Sequence, residues 1–246
     1  MEIIEYVKTL DLEGRLLADA AEQAGPDALV PSCPEWRVAD LLRHTGAVHR
    51  WAAGFVAGAL AEPGPFPEAP ELTGAPLLAW FREGHAALVR TLTDAPADVR
   101  CWTFLPTDPP SPLAFWARRQ AHETAVHRMD AQGALGVAFS PVEAEFAADG
   151  VDEVLTGFHA RPKSRVRTPE PRVLRLRACD TGGAWTVHLS ADPARTVRGE
   201  AGPADCEVTG TAAWLYTALW NRTPLDGAGV SGDASLARLW RETAGI

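Results

Sequence analysis

The tightest limit on this 246-residue sequence is set by the way its first half is cut into amphipathic segments by stretches no helix tolerates. Between Ala61 and Pro76 stand five prolines and two glycines, and a second proline-rich break spans Pro106 to Pro112. Proline removes a backbone donor and clashes with the preceding turn, so both stretches are loops. Upstream, Ile3, Ile4, Val7, Leu10, Leu16, Leu17 and Ala20 recur at spacings of three, four and seven, the period of one buried helical stripe over Glu2 to Ala24. Ser32-Cys33-Pro34-Glu35 fits a capping box, with proline in the first turn, and opens a second helix running to about Leu60. Further helices fit Leu77–Leu92 and Pro112–Gly133. Four helices with short or irregular connections predict a bundle, in which facing side chains build a site in the core.

The pattern changes after Gly136. Pro141–His159 reads as another helix, whereas Val173–Arg177 and Trp185–Leu189 alternate apolar and polar residues as half-buried strands do. Thr181-Gly182-Gly183 between them makes a hairpin. Strands over Arg195–Arg198 and Cys206–Thr209 and helices over Thr211–Trp220 and Asp233–Thr243 complete the reading. The sequence therefore predicts two domains: a four-helix bundle over 1–140 and a smaller α+β domain over 141–246.

Several function classes are disfavoured. The net charge of −9 repels nucleic acid and anionic lipid, and no phosphate-binding glycine motif is present. No apolar run is long enough to span a membrane, and Glu2, Glu5 and Lys8 occupy the place of a signal peptide's apolar stretch, so a cytoplasmic location is expected. Cys33, Cys101, Cys179 and Cys206 are scattered without a CxxC pair, which predicts reduced and mostly buried thiols. One basic run, Arg161 to Arg177, opposes seven cations to Glu170 alone; it reads as a solvated face, with an anion-facing cleft wall as the alternative.

Chemistry concentrates in the fourth helix. Glu123 and His127 stand at i and i+4 and project from one face, where they can share a ligand. His122 and His127 are five apart, roughly 140° around a helix, so the string fails as a zincin motif, which needs both histidines on one face. Trp116, seven residues before Glu123, points the same way, and a carboxylate and imidazole there are expensive to bury unless paired or metal-bound. The second helix offers His44 at the edge of its apolar stripe and His49 nearer the centre. Periodicity favours His49 as the buried one and leaves open which joins a ligand set.

Pro31-Ser32-Cys33-Pro34-Glu35-Trp36 followed by Asp40-Leu41-Leu42-Arg43-His44 resembles the "CPxW, then DLxxH" opening of the mycothiol-dependent maleylpyruvate isomerase family. Glu123 to Asp130 resembles that family's "ExxxHRxD" segment, and Gly210 to Arg222 is similar to its "GxAxxLxxxLWGR" helix. The resemblance implies a DinB-like four-helix bundle followed by an α+β domain. It places a metal triad on His44, Glu123 and His127, holding zinc or another divalent ion such as nickel, with a position open to the thiol of mycothiol. It further implies thiolate addition to a cis double bond beside a carbonyl, rotation and elimination, with Arg222 holding a substrate carboxylate. Asn221 departs from the family's glycine.

Two function classes follow. The first is a metal-dependent, thiol-using enzyme, either an isomerase of maleylpyruvate-like diacids or an S-transferase joining mycothiol to an electrophile. Its partners would be a small electrophile and a low-molecular-weight thiol, with the protein a monomer or homodimer. A diacid isomerase needs two anion-holding arginines at the cleft; a transferase for apolar electrophiles would show an aromatic wall, for which Trp51, Trp80, Trp102 and Trp116 are available beside their ordinary role in core packing. The second class is a non-catalytic metal-binding or ligand-binding module, which would require a fourth protein ligand, His49 or Cys33, closing the site.

Overall fold

The computed structural model describes residues 1–107, 109–225 and 229–244. These form two compact units: Met1–Phe104 with 109–140, and Leu105–Thr107 with 141–225 and 229–244.

The first unit is built on α1 (Ile3–Ala24), α2 (Val38–Ala57), α3 (Gly74–Asp94) and α4 (Pro112–Leu135). Helix α1 packs chiefly on α4, and α2 on α3. Leu10, Leu17, Leu41, Phe81, Leu88 and Trp116 fill the core. Close approach of α1 to α3 depends on Gly14, because a Cβ there would lie 2.2 Å from the His85 ring. Helix α4 begins at Ser111, whose Oγ accepts the Ala114 amide at 3.1 Å, and ends on Gly136 at φ 76°, a left-handed stop that glycine adopts without strain.

The capping box expected at Ser32 does not form. Helix α2 begins six residues later, where Asp40 accepts the Arg37 amide at 3.0 Å. Residues 28–37 instead fold into a closed loop, with Val30 donating to the Trp36 carbonyl at 3.0 Å and Leu29 bridging Arg37. The Ser32 hydroxyl donates to Asp130 on α4. A partner 98 residues away thus outcompetes the local S-x-x-E pattern.

The second unit opens with α5 (Ala144–Glu153), prolonged by a π-helical turn over Val154–Phe158. Strands β1 (Arg172–Ala178), β2 (Ala184–Leu189), β3 (Arg195–Arg198), β4 (Cys206–Gly210) and β5 (Val230–Gly232) form one sheet in the order β3-β2-β1-β4-β5. The β1–β2 hairpin pairs Leu174 with Val187 and Leu176 with Trp185, while β1 and β4 run parallel. Helices α6 (Ala212–Leu219) and α7 (Ser235–Thr243) complete the unit, and Leu174, Leu176, Val187, Val208, Leu215 and Trp240 form its core. Strand β5, only three residues long, carries no alternation that a sequence reading could use.

Three cations of the basic run are ion-paired. Arg172 bonds Asp233, Arg175 approaches Glu207 at 3.6 Å, and Arg177 meets Glu200 at 2.8 Å and Glu207 at 3.0 Å. All four cysteines are free thiols; contrary to expectation only Cys206 is buried, and Cys179 is exposed. Among the described residues no helix is long and apolar enough to cross a membrane.

Candidate metal centre

The i, i+4 spacing brings Glu123 and His127 together as expected, and α2 presents His44 to the same carboxylate. Glu123 Oε1 lies 3.2 Å from His127 Nε2 and 3.3 Å from His44 Nε2. One ligand atom from each residue falls within 4.8 Å of the others, the one such group found among the described residues. Tetrahedral zinc with bonds of about 2.0–2.1 Å sets its ligand atoms about 3.3 Å apart, so both separations suit that ion. Two imidazoles and a carboxylate are a borderline donor set that leaves a coordination position for an outside ligand. Access to it remains, since the His44 side chain is 35% exposed.

Each ligand is held by a further group. His127 Nδ1 donates to Asp130 Oδ2 at 2.8 Å, and Asp130 Oδ1 accepts from Ser32. This fixes the tautomer that turns His127 Nε2 toward Glu123 and a metal. Arg119, itself buried, donates to Glu123 Oε2 at 3.2 Å, leaving Oε1 to face the imidazoles. Trp36 packs on both histidines, with ring centroids 4.9 Å from His44 and 6.1 Å from His127. The loop that failed to cap α2 therefore furnishes two supports of the centre, Ser32 and Trp36.

Electrostatics follow from this arrangement. Burial opposes the charge on His127, but hydrogen bonds to Asp130 and Glu123 overcome it and push the imidazole up to about 9. Burial likewise opposes the Glu123 charge; hydrogen bonds from His127 and His44, together with the His127 and Arg119 charges, hold it well below the usual carboxylate range. Without metal the centre is thus a half-buried carboxylate beside His44 and a His127 imidazole held in its cationic form, and an ion would replace the proton on His127 Nε2.

Helical periodicity left His44 and His49 open, the resemblance pointed to His44, and the two have different environments. His49 is fully buried, and its Nε2 donates at 2.9 Å to Thr124 Oγ1, which itself donates to the Gln120 carbonyl. Burial, then the nearby His85, holds it well below the ordinary histidine value, so it is a neutral core residue. His122 is also buried and turns its ring toward Tyr6 of α1. Neither His49 nor Cys33 belongs to the ligand cluster. The supporting roles of Ser32 and Arg119 were missed; Arg119 was open to discovery at i−4 from Glu123, whereas nothing local connects Ser32 with Asp130.

Arg222 lies in the second unit, beyond α6. Its amide donates to the Thr217 carbonyl at 2.8 Å and its Nη1 to the Trp220 carbonyl at 2.6 Å. Asn221 before it adopts φ 60°, a left-handed conformation that glycine takes freely and asparagine tolerates best among other residues. The departure from glycine therefore preserves the backbone turn.

Residues 9–132 match the family model described as the mycothiol maleylpyruvate isomerase N-terminal domain, and residues 145–239 match the MDMPI C-terminal domain. A crystal structure of the mycothiol-dependent maleylpyruvate isomerase superposes with a TM-score of 0.60 at 14% identity, covering 95% of this chain and 94% of that one. A structure of a histidine-to-alanine mutant of the mycothiol-dependent maleylpyruvate isomerase gives 0.62 at 12% identity, with the same coverage. At such identities the likeness shows a common fold. No curated protein matches the sequence.

Proposed function

The chain belongs to the mycothiol maleylpyruvate isomerase family, and from that premise we propose that it is a mycothiol-using enzyme whose His44, Glu123 and His127 hold a catalytic divalent ion. The observation that carries this reading is the convergence of three ligand atoms within 4.8 Å, on a partly exposed side of the bundle. Zinc suits the donor set, with nickel the nearest substitute. Such an ion supplies Lewis acidity that keeps a thiol ionised near neutral pH.

The protein's own residues do the remaining work. Asp130 keeps the proton of His127 on Nδ1, so Nε2 is available as a donor atom. Arg119 neutralises one Glu123 oxygen and holds the carboxylate rotamer. Trp36 packs against both imidazoles and helps fix their rings. Should the substrate be a diacid, Arg222 is the residue we assign to its carboxylate, its planar fork suiting two parallel hydrogen bonds; in this structure it caps Trp220.

The reaction is cis–trans isomerisation of a maleylpyruvate-like diacid or transfer of the mycothiol sulfur to an electrophile; in the first the thiol is regenerated, in the second it is consumed. The reading places the protein in the cytoplasm, as a monomer or homodimer acting on small molecules, with no nucleic-acid or membrane partner.

Metal content of the purified wild type beside His127→Ala, both supplied with zinc, tests the proposal. About one equivalent in the wild type and a large loss in the variant are expected. A wild type that takes up no zinc, nickel or manganese on titration would overturn it.

A further inference from the structure

The ligand cluster continues into a row of aromatic rings that the core does not require. Phe66, on the connection between α2 and α3, is 49% exposed, with its ring 6.2 Å from that of His44 and inclined by 25°. From Phe66 the row passes to Trp51 at 5.9 Å, and from Trp51 to Trp102 at 5.6 Å and Phe104 at 6.0 Å. Trp36, Trp51, Trp102 and Phe104 are each only half-buried. Beneath them Phe55, Phe115 and Trp116 are buried and account for the core. A contiguous apolar surface left open beside a reactive centre marks a binding site.

The row is rigidly held. Trp51 Nε1 donates to the Gly64 carbonyl at 3.4 Å, and the Trp102 amide donates to the Leu60 carbonyl at 2.7 Å, fixing the connection that carries Phe66 at two points. A preformed surface binds without the cost of ordering its side chains.

The ring faces of the row do not themselves attract anions. Ring faces carry the negative side of the aromatic quadrupole. Three arginines of α2 and α4 near the ligands are already engaged. Arg43 bonds Asp40 and the Leu72 carbonyl, Arg119 bonds Glu123, and Arg50 bonds the Gly46 and Trp80 carbonyls while stacked 3.9 Å over the Trp80 ring.

We propose that Trp36, Phe66 and Trp51 form the specificity surface for the electrophilic substrate, and that it takes a flat, uncharged conjugated or aromatic group in preference to a dicarboxylate. The chemistry at that group rests on the metal-and-thiol reading above; the recognition rests on the aromatic row alone.

The test titrates zinc-loaded, full-length protein with naphthol and, separately, with maleate, following the aromatic NMR signals of the wild type, Phe66→Ala and Phe66→Tyr. Saturable naphthol binding is expected, about two- to twelvefold weaker in Phe66→Ala, the worth of one aromatic pair, and restored in Phe66→Tyr. Maleate should produce no saturable shift in the row. Naphthol binding absent from zinc-replete protein or unchanged in Phe66→Ala, or maleate binding that depends on Phe66, would overturn the proposal. Metal content measured on the same samples separates the two readings: Phe66-dependent naphthol binding by protein that takes up no zinc would refute the metal centre and leave the aromatic surface standing.

Discussion

Helix α4 carries two charged clusters on different faces, one buried and one partly exposed, and they are finished to different degrees. On one face Arg128 is fully buried with Glu13 of α1, its Nε 2.6 Å from Oε2. It also donates to Gln132 Oε1 and to the Ser140 carbonyl, while Gln132 Nε2 donates to Ser140 Oγ at 2.7 Å. On the other face Glu123 and His127 meet His44 beside an exposed edge. The first cluster matches each charge with fixed protein partners and so welds α4 to α1. In the second, His127 Nε2 and Glu123 Oε1 stand 3.2 Å apart, the spacing of two ligands on one cation. Comparison of the two shows how one helix separates a closed cluster of charge from an open one, by the roughly 100° turn between neighbouring residues 127 and 128.

The largest effect should come from breaking the closed cluster. Arg128→Ala strands the Glu13 carboxylate in the core and should cost about 3–5 kcal/mol, read as a shift in the denaturant midpoint. Replacing the pair together, Arg128→Met with Glu13→Leu, should recover most of that loss, because the penalty lies in the orphaned charge. Zinc content per folded molecule should hold in the double variant, which would fail if the two faces were coupled.

A smaller and opposite pattern is expected from the open cluster. Asp130→Asn should weaken zinc affinity about 10- to 100-fold in a chelator competition, while the unfolding midpoint moves far less than in Arg128→Ala. An equal loss of stability in both variants would erase the distinction drawn between the faces.

The pH dependence sharpens it further. In metal-free protein the folded His127 value, about 9, exceeds the unfolded reference of about 6.5. Its contribution to stability is therefore complete below about pH 6.5 and is lost as pH rises through about 9. Zinc needs the neutral imidazole, so apparent affinity should climb by up to about tenfold per pH unit between 7 and 9 and then level off, with about one proton released at pH 7. Calorimetry in buffers of different ionisation enthalpy counts that proton; a flat affinity profile would contradict the assignment.

Much of this architecture was legible in the sequence, because helical stripes and proline-rich breaks are local signals. The Glu123–His127 pair followed from spacing alone, and the greater burial of His49 followed from the α2 stripe. The choice of His44 as a ligand did not: it came from the resemblance, since an edge position on a stripe says nothing about a carboxylate 79 residues away. Arg128 with Glu13, and Ser32 with Asp130, are likewise long-range pairs that no periodicity encodes. At Ser32 the local rule misled, because the capping pattern was present while its hydroxyl was claimed elsewhere.

That claim has a consequence for how such a protein can diversify. The closed loop over residues 28–37 sets Ser32 and Trp36 against the centre at once, so one inserted residue there would displace both. The α2–α3 connection bearing Phe66 is anchored through backbone carbonyls, which any sequence supplies. Its side chains are free to be exchanged without disturbing those anchors. Of the proposed substrate surface, Trp36 thus stands on an inflexible mount and Phe66 on a replaceable one, so that editing a single surface loop would alter part of that surface and leave the rest in place.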